Sequence, residues 1–547
     1  MVNMAAYEAI VDMGSNGIRF SVTDTSPDTA RCLPTVFSER LSVSLYDAQW
    51  KDGQRVPIPA ETMNQVARAF RRFKTVCQDF GVDEGHVRVL ATEATRTAPN
   101  SDDFMEKLHE ATGWTVTLLK KEEEGLLGAH GIASSFDEVR GLCMDLGGGS
   151  TQLSWIYTES GQVRTSDGAV SLPYGAAALT NNPPKREKML ADLREAYGKL
   201  DLPAELTSLG ARGNLNLYLS GGGFRGWGFA LMHHHPDVQP YPIPIINGFC
   251  VPAATFRNTD AIVAAVGAPS EQAEPLKMHR VSERRASQIP AVANLVACVS
   301  EALPSDIRNV YFCQGGVREG RLFSDLNPLV RSQSPLVVAT QRYASRGRVQ
   351  RGSAAALANA LTATIKMSNG PDLTSISMAL ANIMYEHSPV NKDIRAAAAL
   401  QSPITGELAG AHGLSHTDRA HLAIALCERH GGRKDLDPVN VQQFDRLMQL
   451  VEPDKRWWLR YLGRVAAVFG IAYPSGMSTD ADTRILLNRD PSSAKDDRIA
   501  LVVSVSKDFL TDPLEDAIAK VEKMGKKKKW IAGEEGRKVD WKIQKNY

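Results

Sequence analysis

The chain has no apolar run approaching the roughly 18 residues that a membrane-spanning helix needs. Cysteine is scarce, with 7 in 547 residues. None of these cysteines forms a C-x-x-C pair, so a disulfide scaffold and a cysteine zinc site are excluded and reduced thiols are expected. An excess of charge is lacking too: 63 Lys plus Arg stand against 62 Asp plus Glu, which gives no global field for nucleic acid or a membrane surface. No G-x-x-x-x-G-K-[ST] occurs, which argues against a P-loop NTPase. No basic segment and apolar core precede the strand-like stretch at Tyr7. A cytoplasmic protein, with the nucleus as a second location, is expected, with neither membrane nor specific nucleic acid among its partners.

What is present is a near-repeat. Val11-Asp12-Met13-Gly14-Ser15-Asn16-Gly17 returns as Met144-Asp145-Leu146-Gly147-Gly148-Gly149-Ser150. Each copy closes an apolar run with an aspartate and opens a loop of small residues. Such loops let backbone N–H groups converge on phosphate, and the carboxylate beside them can hold a hydrated metal. Turn capping is the bland alternative for Asp12 and Asp145, and the duplicate setting favours function. A third run, Gly221-Gly222-Gly223, follows apolar Leu215 to Leu219. It fits G-x-G-x-x-G through Gly226, yet no acidic partner follows a further strand, so phosphate contact is preferred over dinucleotide binding.

The length predicts three or four domains. Strands are expected at Tyr7 to Asp12, Ile18 to Asp24, Val87 to Ala91, Gly141 to Asp145, Thr151 to Tyr157 and Val310 to Cys313, with helices at Ala60 to Asp79 and Asp102 to Thr112. The restart at Gly141 divides the first half into subdomains 1–135 and 136–330. An irregular Ser, Arg and Gln rich stretch reads as a linker over 331–352. Helices dominate 353–475, at Ala354 to Lys366, Thr374 to Glu386, Asp393 to Leu400 and Thr417 to His430. Residues 476–547 read as a small α/β element with strands at Thr483 to Leu487 and Arg498 to Ser504 and a helix at Pro513 to Lys523 capped by Asp512. A basic tail follows at Lys526 to Lys529, either solvated or serving anion binding or nuclear import. His233 to His235 read as an exposed loop, and the dispersed His387, His412, His416, His421 and His430 as surface or core residues rather than metal ligands.

Several segments in order carry a resemblance: the first loop, then Leu90-Ala91-Thr92-Glu93-Ala94-Thr95-Arg96, Glu122-Glu123-Glu124, the second loop, Ser171-Leu172-Pro173-Tyr174-Gly175-Ala176 and Gly316-Val317-Arg318-Glu319-Gly320. Together they resemble the exopolyphosphatase and guanosine pentaphosphate phosphatase (Ppx/GppA) family over residues 7 to about 330. The resemblance implies an α/β fold of two actin-like, ribonuclease H-like subdomains of the sugar kinase, heat-shock chaperone and actin superfamily. A mainly helical HD-like domain would follow, with Gln401-Ser402 where an HD protein has its metal-binding dyad. The long form with its Ala-rich C-terminus looks like a signalling branch that links mitochondrial state to nuclear gene expression.

By that resemblance Glu123 is the base, Arg96 contacts phosphate, and Asp12 and Asp145 hold Mg²⁺. Gly14, Ser15, Asn16, Gly147, Gly148, Gly149, Ser150, Gly221, Gly222 and Gly223 cradle phosphate or nucleotide. The bland alternatives are a solvated helix start for Glu122 to Glu124 and a surface ion pair for Arg96. The family's glutamate seven residues after the second aspartate is Gln152 here, which cannot supply negative charge or act as a base. The expectation is a phosphatase-like regulator that binds ATP, polyphosphate or a guanosine polyphosphate in a cleft between the subdomains, with weak or absent hydrolysis. Its C-terminal region would serve signalling partners or homodimerisation. The alternative is an active Mg²⁺-dependent phosphohydrolase, and an ATP-dependent sugar kinase ranks third.

Overall fold

Tyr7–Gly14 is apolar on both faces, and that places it at the centre of a sheet. Ala9, Val11 and Met13 point into one core, while Ile10 points into a second. In the computed structural model the described residues are 6–15, 17–51, 54–267, 281–304, 306–344, 351–477, 484–490, 498–506, 509–526 and 536–546. The chain divides into two units, Met1–Pro240 with Ile246–Gln333 and Tyr241–Ile245 with Ser334–Tyr547. No described helix is long and apolar enough to cross a membrane.

The first unit holds two sheets of one plan. The first runs in the order Thr35–Leu41, Gly17–Asp24, Tyr7–Gly14, Val87–Ala91, Val116–Leu118, with the first three strands antiparallel and the rest parallel. Helix Ala60–Asp79 buries Val66, Phe70, Phe73 and Cys77, and Phe73 stacks on Phe20 with ring centroids 4.6 Å apart. In the second sheet Gln162–Thr165, Thr151–Glu159 and Arg140–Leu146 repeat the meander. Leu215–Ser220 and Ile307–Phe312 then continue in parallel, with Phe249–Pro252 antiparallel at the edge. This is the actin-like α/β architecture, built twice.

Helices Lys121–Ser134 and Val317–Asp325 cross at backbone distance. A Cβ on Gly131 would lie 2.3 Å from the Gly316 carbonyl oxygen, and one on Gly320 would lie 1.8 Å from that of Leu127. Only glycine fits either position. Arg31, about 1% exposed, ties the same region by donating to the Ser134 and Phe136 carbonyls.

The second unit is helical from Arg351–Lys366 to Pro453–Ala472. Glu428 on His416–Arg429 is fully buried, and its two oxygens accept from Arg460 at 2.9 Å and Arg464 at 2.6 Å on Pro453–Ala472. Buried Arg419 donates to the carbonyls of Pro403, Leu408 and Ala411. Among the histidines, His421 pairs with Glu452 at 2.7 Å. His416 lies between the Tyr241 hydroxyl and the Ile245 carbonyl, 2.8 Å from each, and His387 is buried. Gln401 donates to Asn440.

Several expectations need correction. The stretch read as a linker contains helix Pro335–Gln341, opened by its proline and buried through Leu336, Val338 and Ala339; it is too short for its periodicity to show. Residues 345–350 of that stretch lie outside the described residues. Helix Asp512–Met524 has Thr511 at its N-cap, with Asp512 and Pro513 already in its first turn. A strand missed by the sequence reading, Lys538–Asn546, pairs in parallel with Arg498–Ser506. Its alternation buries Val539 and Trp541 between the charged Lys538, Asp540 and Lys542. His233 closes helix Gly222–His233, and His235 is half-buried, its Nδ1 accepting from the backbone of Asp237 and Val238. Asn16, Thr483 and Lys527 to Trp530 lie outside the described residues.

The glycine crossing makes a contrast measurable by denaturation. Gly131→Ala should cost about 1–3 kcal/mol through overpacking. Gly128→Ala on the same helix, where an added Cβ meets nothing within 4 Å, should be neutral or stabilise by up to about 1 kcal/mol.

Candidate functional site

Both loops leave their sheets at equivalent points. Asp12 ends the central strand of the first sheet beside Leu90, and Asp145 ends that of the second beside Ser220. The strand ends converge on one cleft within the first unit, of about 200 Å³. Asp12, Gly14, Ser15, Asp145, Gly147, Gly148, Gly149, Ser150, Gln152, Gly221, Gly222 and Gly223 all line it. The loops are shaped by close approach: Gly221 has φ +91° with Leu146 O against it, and a Cβ on Gly175 would meet Gly148 O at 2.2 Å. The Gly147 and Gly148 carbonyls accept from the N–H groups of Ala176 and Ala177. Helix Gly222–His233 begins in the cleft, a favourable place for an anion.

The cleft has an acidic side. Burial raises the carboxyl of Asp12 above its ordinary value against the opposing pull of Arg19, and burial raises that of Asp145 likewise. Glu93 and Glu124 join them. Glu123, the residue the sequence reading made the base, does not reach the cleft. It is exposed, and its carboxylate accepts from the Lys120 backbone N–H at 2.8 Å, capping its own helix. One residue further round the helix, Glu124 faces the cleft. Burial foremost, with Asp145 and Glu93 adding, pushes its carboxyl up to about 7 against the attraction of Arg96. Arg96 pairs with Glu124 at 3.5 Å and donates to the Leu119 carbonyl. It lies in a side pocket with Glu93, Lys121, Ser150 and Gln152, and so positions Glu124 instead of lining the main cleft.

The cleft also carries arginines, which sequence reading missed. Arg19, Arg40, Arg225 and Arg285 line the cleft from four separate elements. Burial pushes Arg225 down to about 9, and Arg19 and Arg285 push it further the same way. Its Nε is buried without a hydrogen-bond partner. Among the described residues no carboxylate lies within ion-pair distance of Arg19, Arg225 or Arg285. Arg19 had a signal, since it stands directly opposite Asp12 across the first hairpin. Arg225 and Arg285 had none beyond lying in helices.

Acids, arginines and glycine loops thus meet in one cleft on a duplicated actin-like fold. The Ppx/GppA phosphatase family model matches residues 22–329, and the chain belongs to that family. The RTG2 C-terminal domain model matches residues 334–547. Retrograde regulation protein 2 of Saccharomyces cerevisiae is 38% identical over 490 residues, covering 86% of this chain and 82% of that protein. A Ppx/GppA family member of Aquifex aeolicus has a crystal structure that is 21% identical, covers 58% of this chain and 97% of its own, and gives a TM-score of 0.45. An exopolyphosphatase of Cytophaga hutchinsonii is 18% identical over 59% of this chain and 99% of its own, with a TM-score of 0.43. Family and relative together support a regulator or phosphatase-like role.

The raised Glu124 has a measurable consequence. The folded protein holds this proton more tightly than the unfolded chain, so the contribution favours folding at low pH and is lost as pH rises through about 7. In denaturant titrations without metal, Glu124→Gln should match wild type near pH 5 and exceed it at pH 8, by at most about 3 kcal/mol. Equal stability of the two proteins at pH 8 would contradict the raised value.

Proposed function

We propose that the cleft of the first unit binds a chain of phosphates, free or as the tail of a nucleotide, together with Mg²⁺. On this reading the protein acts as a phosphate-sensing regulator, in signalling between mitochondria and nucleus, with weak hydrolysis. The observation that carries it is one cleft lined both by half-buried carboxylates and by Arg19, Arg225 and Arg285, which have no carboxylate at ion-pair distance among the described residues. Mutual repulsion among Arg19, Arg225 and Arg285 is relieved by a polyanion of several charges. The acidic side repels such a ligand unless a cation intervenes.

Asp12 and Asp145 fit that cation: both are half-buried hard-oxygen donors whose carboxyls are raised by desolvation, a cost that a bound cation would offset. No set of three or more ligating side chains gathers around one point among the described residues. That suits Mg²⁺, which keeps waters and takes phosphate oxygens. When bound it would neutralise phosphate charge, while Arg225, Arg285 and the N–H groups at Gly222 would hold the phosphate chain.

A second reading, turnover, draws on Glu124. A carboxyl titrating near 7 beside the glycine loops suits a general base that orients water toward a terminal phosphorus. Gln152, neutral and half-buried on the same wall, supports the weak end of that range. The basic C-terminal residues and partner binding by the second unit stay with the signalling proposal.

Calorimetry with tripolyphosphate and Mg²⁺ tests the binding. Arg225→Ala and Arg285→Ala should each weaken affinity about tenfold or more, while Glu123→Ala should leave it within about threefold because that side chain only caps a helix. Absence of tripolyphosphate binding at millimolar concentration would end this reading. Phosphate release lost in Glu124→Gln, but not in Glu123→Ala, would establish turnover and the base.

A further inference from the structure

The two loop hairpins match in register but not in charge. Asp12 stands directly opposite Arg19, and Asp145 directly opposite Gln152, each partner being the equivalent residue after its aspartate. The first aspartate faces a cation and the second a neutral amide. That amide is engaged: Gln152 Nε2 donates to Ser150 Oγ at 3.1 Å, and Ser150 Oγ donates to Glu93 Oε2 at 3.2 Å. A serine hydroxyl has one proton to give. Here it goes to Glu93, and the amide fills the acceptor position behind it.

Gln152 is the residue type that makes this order work. A carboxylate there would have no proton to give Ser150 and would compete with Glu93 for the single hydroxyl proton. It would also stand directly across from Asp145, where like charges destabilise a strand pair. Glu93 comes from the other half of the unit, on the short helix Glu93–Arg96, yet its oxygen lies 3.6 Å from where a Cβ on Gly149 would be. It lines the cleft with Asp145 and Glu124.

We propose that Glu93, held by Ser150 and Gln152, is the carboxylate that serves the second loop, carrying toward a bound divalent cation the charge that position 152 does not provide. This rests on the cleft being a metal and phosphate site. It makes Glu93 and Gln152 a matched pair, so the charge can be moved between them but not doubled or deleted without loss.

Two measurements on the full-length protein test it, for wild type, Glu93→Gln, Gln152→Glu and the double variant. One is Mn²⁺ affinity in the presence of tripolyphosphate. The other is melting temperature in EDTA. Glu93→Gln should weaken Mn²⁺ binding about tenfold or more. Gln152→Glu should lower the melting temperature by ~2–4 °C, and the double variant should recover most of both losses. Ser150→Ala, which keeps both side chains but cuts the link, should lose part of the Mn²⁺ affinity. The proposal is overturned if Glu93→Gln binds Mn²⁺ as wild type does, or if the two single losses simply add in the double variant. A wild type that binds no Mn²⁺ would instead remove the cleft's reading as a metal site, and an additive melting cycle would then separately overturn the pairing.

Discussion

Two aspartates that cannot comfortably be charged, and cannot be moved, set the terms for the first unit. Asp12 and Asp145 end the central strands of two sheets of the same order, so the duplication that builds the fold also delivers both carboxylates to one cleft. Their burial raises the free energy of their ionised forms, and each nearby charge answers that cost. Arg19 opposes it from the facing strand. The glycine loops bring backbone dipoles, and the arginines that line the same cleft supply a positive field.

The fold holds this arrangement by removing side chains where backbones must meet. Gly221 against Leu146, Gly175 against Gly148, Gly131 against Gly316 and Gly320 against Leu127 are all contacts where a Cβ on the first residue would overlap a carbonyl of the second. Buried polar groups play the complementary part. Arg31 in the first unit and Arg419 in the second each satisfy several main-chain carbonyls that would otherwise lie unpaired in the interior.

Much of this was legible in the sequence, for reasons that also mark where legibility ended. The hairpins around Asp12 and Asp145 and helix Ala60–Asp79 announce themselves by period, and the loops by composition. The choice among Glu122, Glu123 and Glu124 could not come from composition, since successive residues on a helix point about 100° apart. The signal was the face shared by Glu124, Leu127 and Gly131, the side that packs. The arginine wall was invisible because its members lie far apart in sequence and meet only through folding. Strand Lys538–Asn546 was hidden by the exposed Lys538 and Lys542, which lie on the outer side of an alternating pattern.

The crossing of helices Lys121–Ser134 and Val317–Asp325 has a mechanical meaning. Glu124 stands two turns before Gly131 on the same rod, a lever arm of about 10 Å from the point where the two backbones touch. A turn of about 10° about that fulcrum would carry the carboxylate about 2 Å, the difference between touching a neighbouring water and missing it. The contact that most restricts the chain therefore lies where a small rotation is magnified at the acid in the cleft that burial pushes up to about 7.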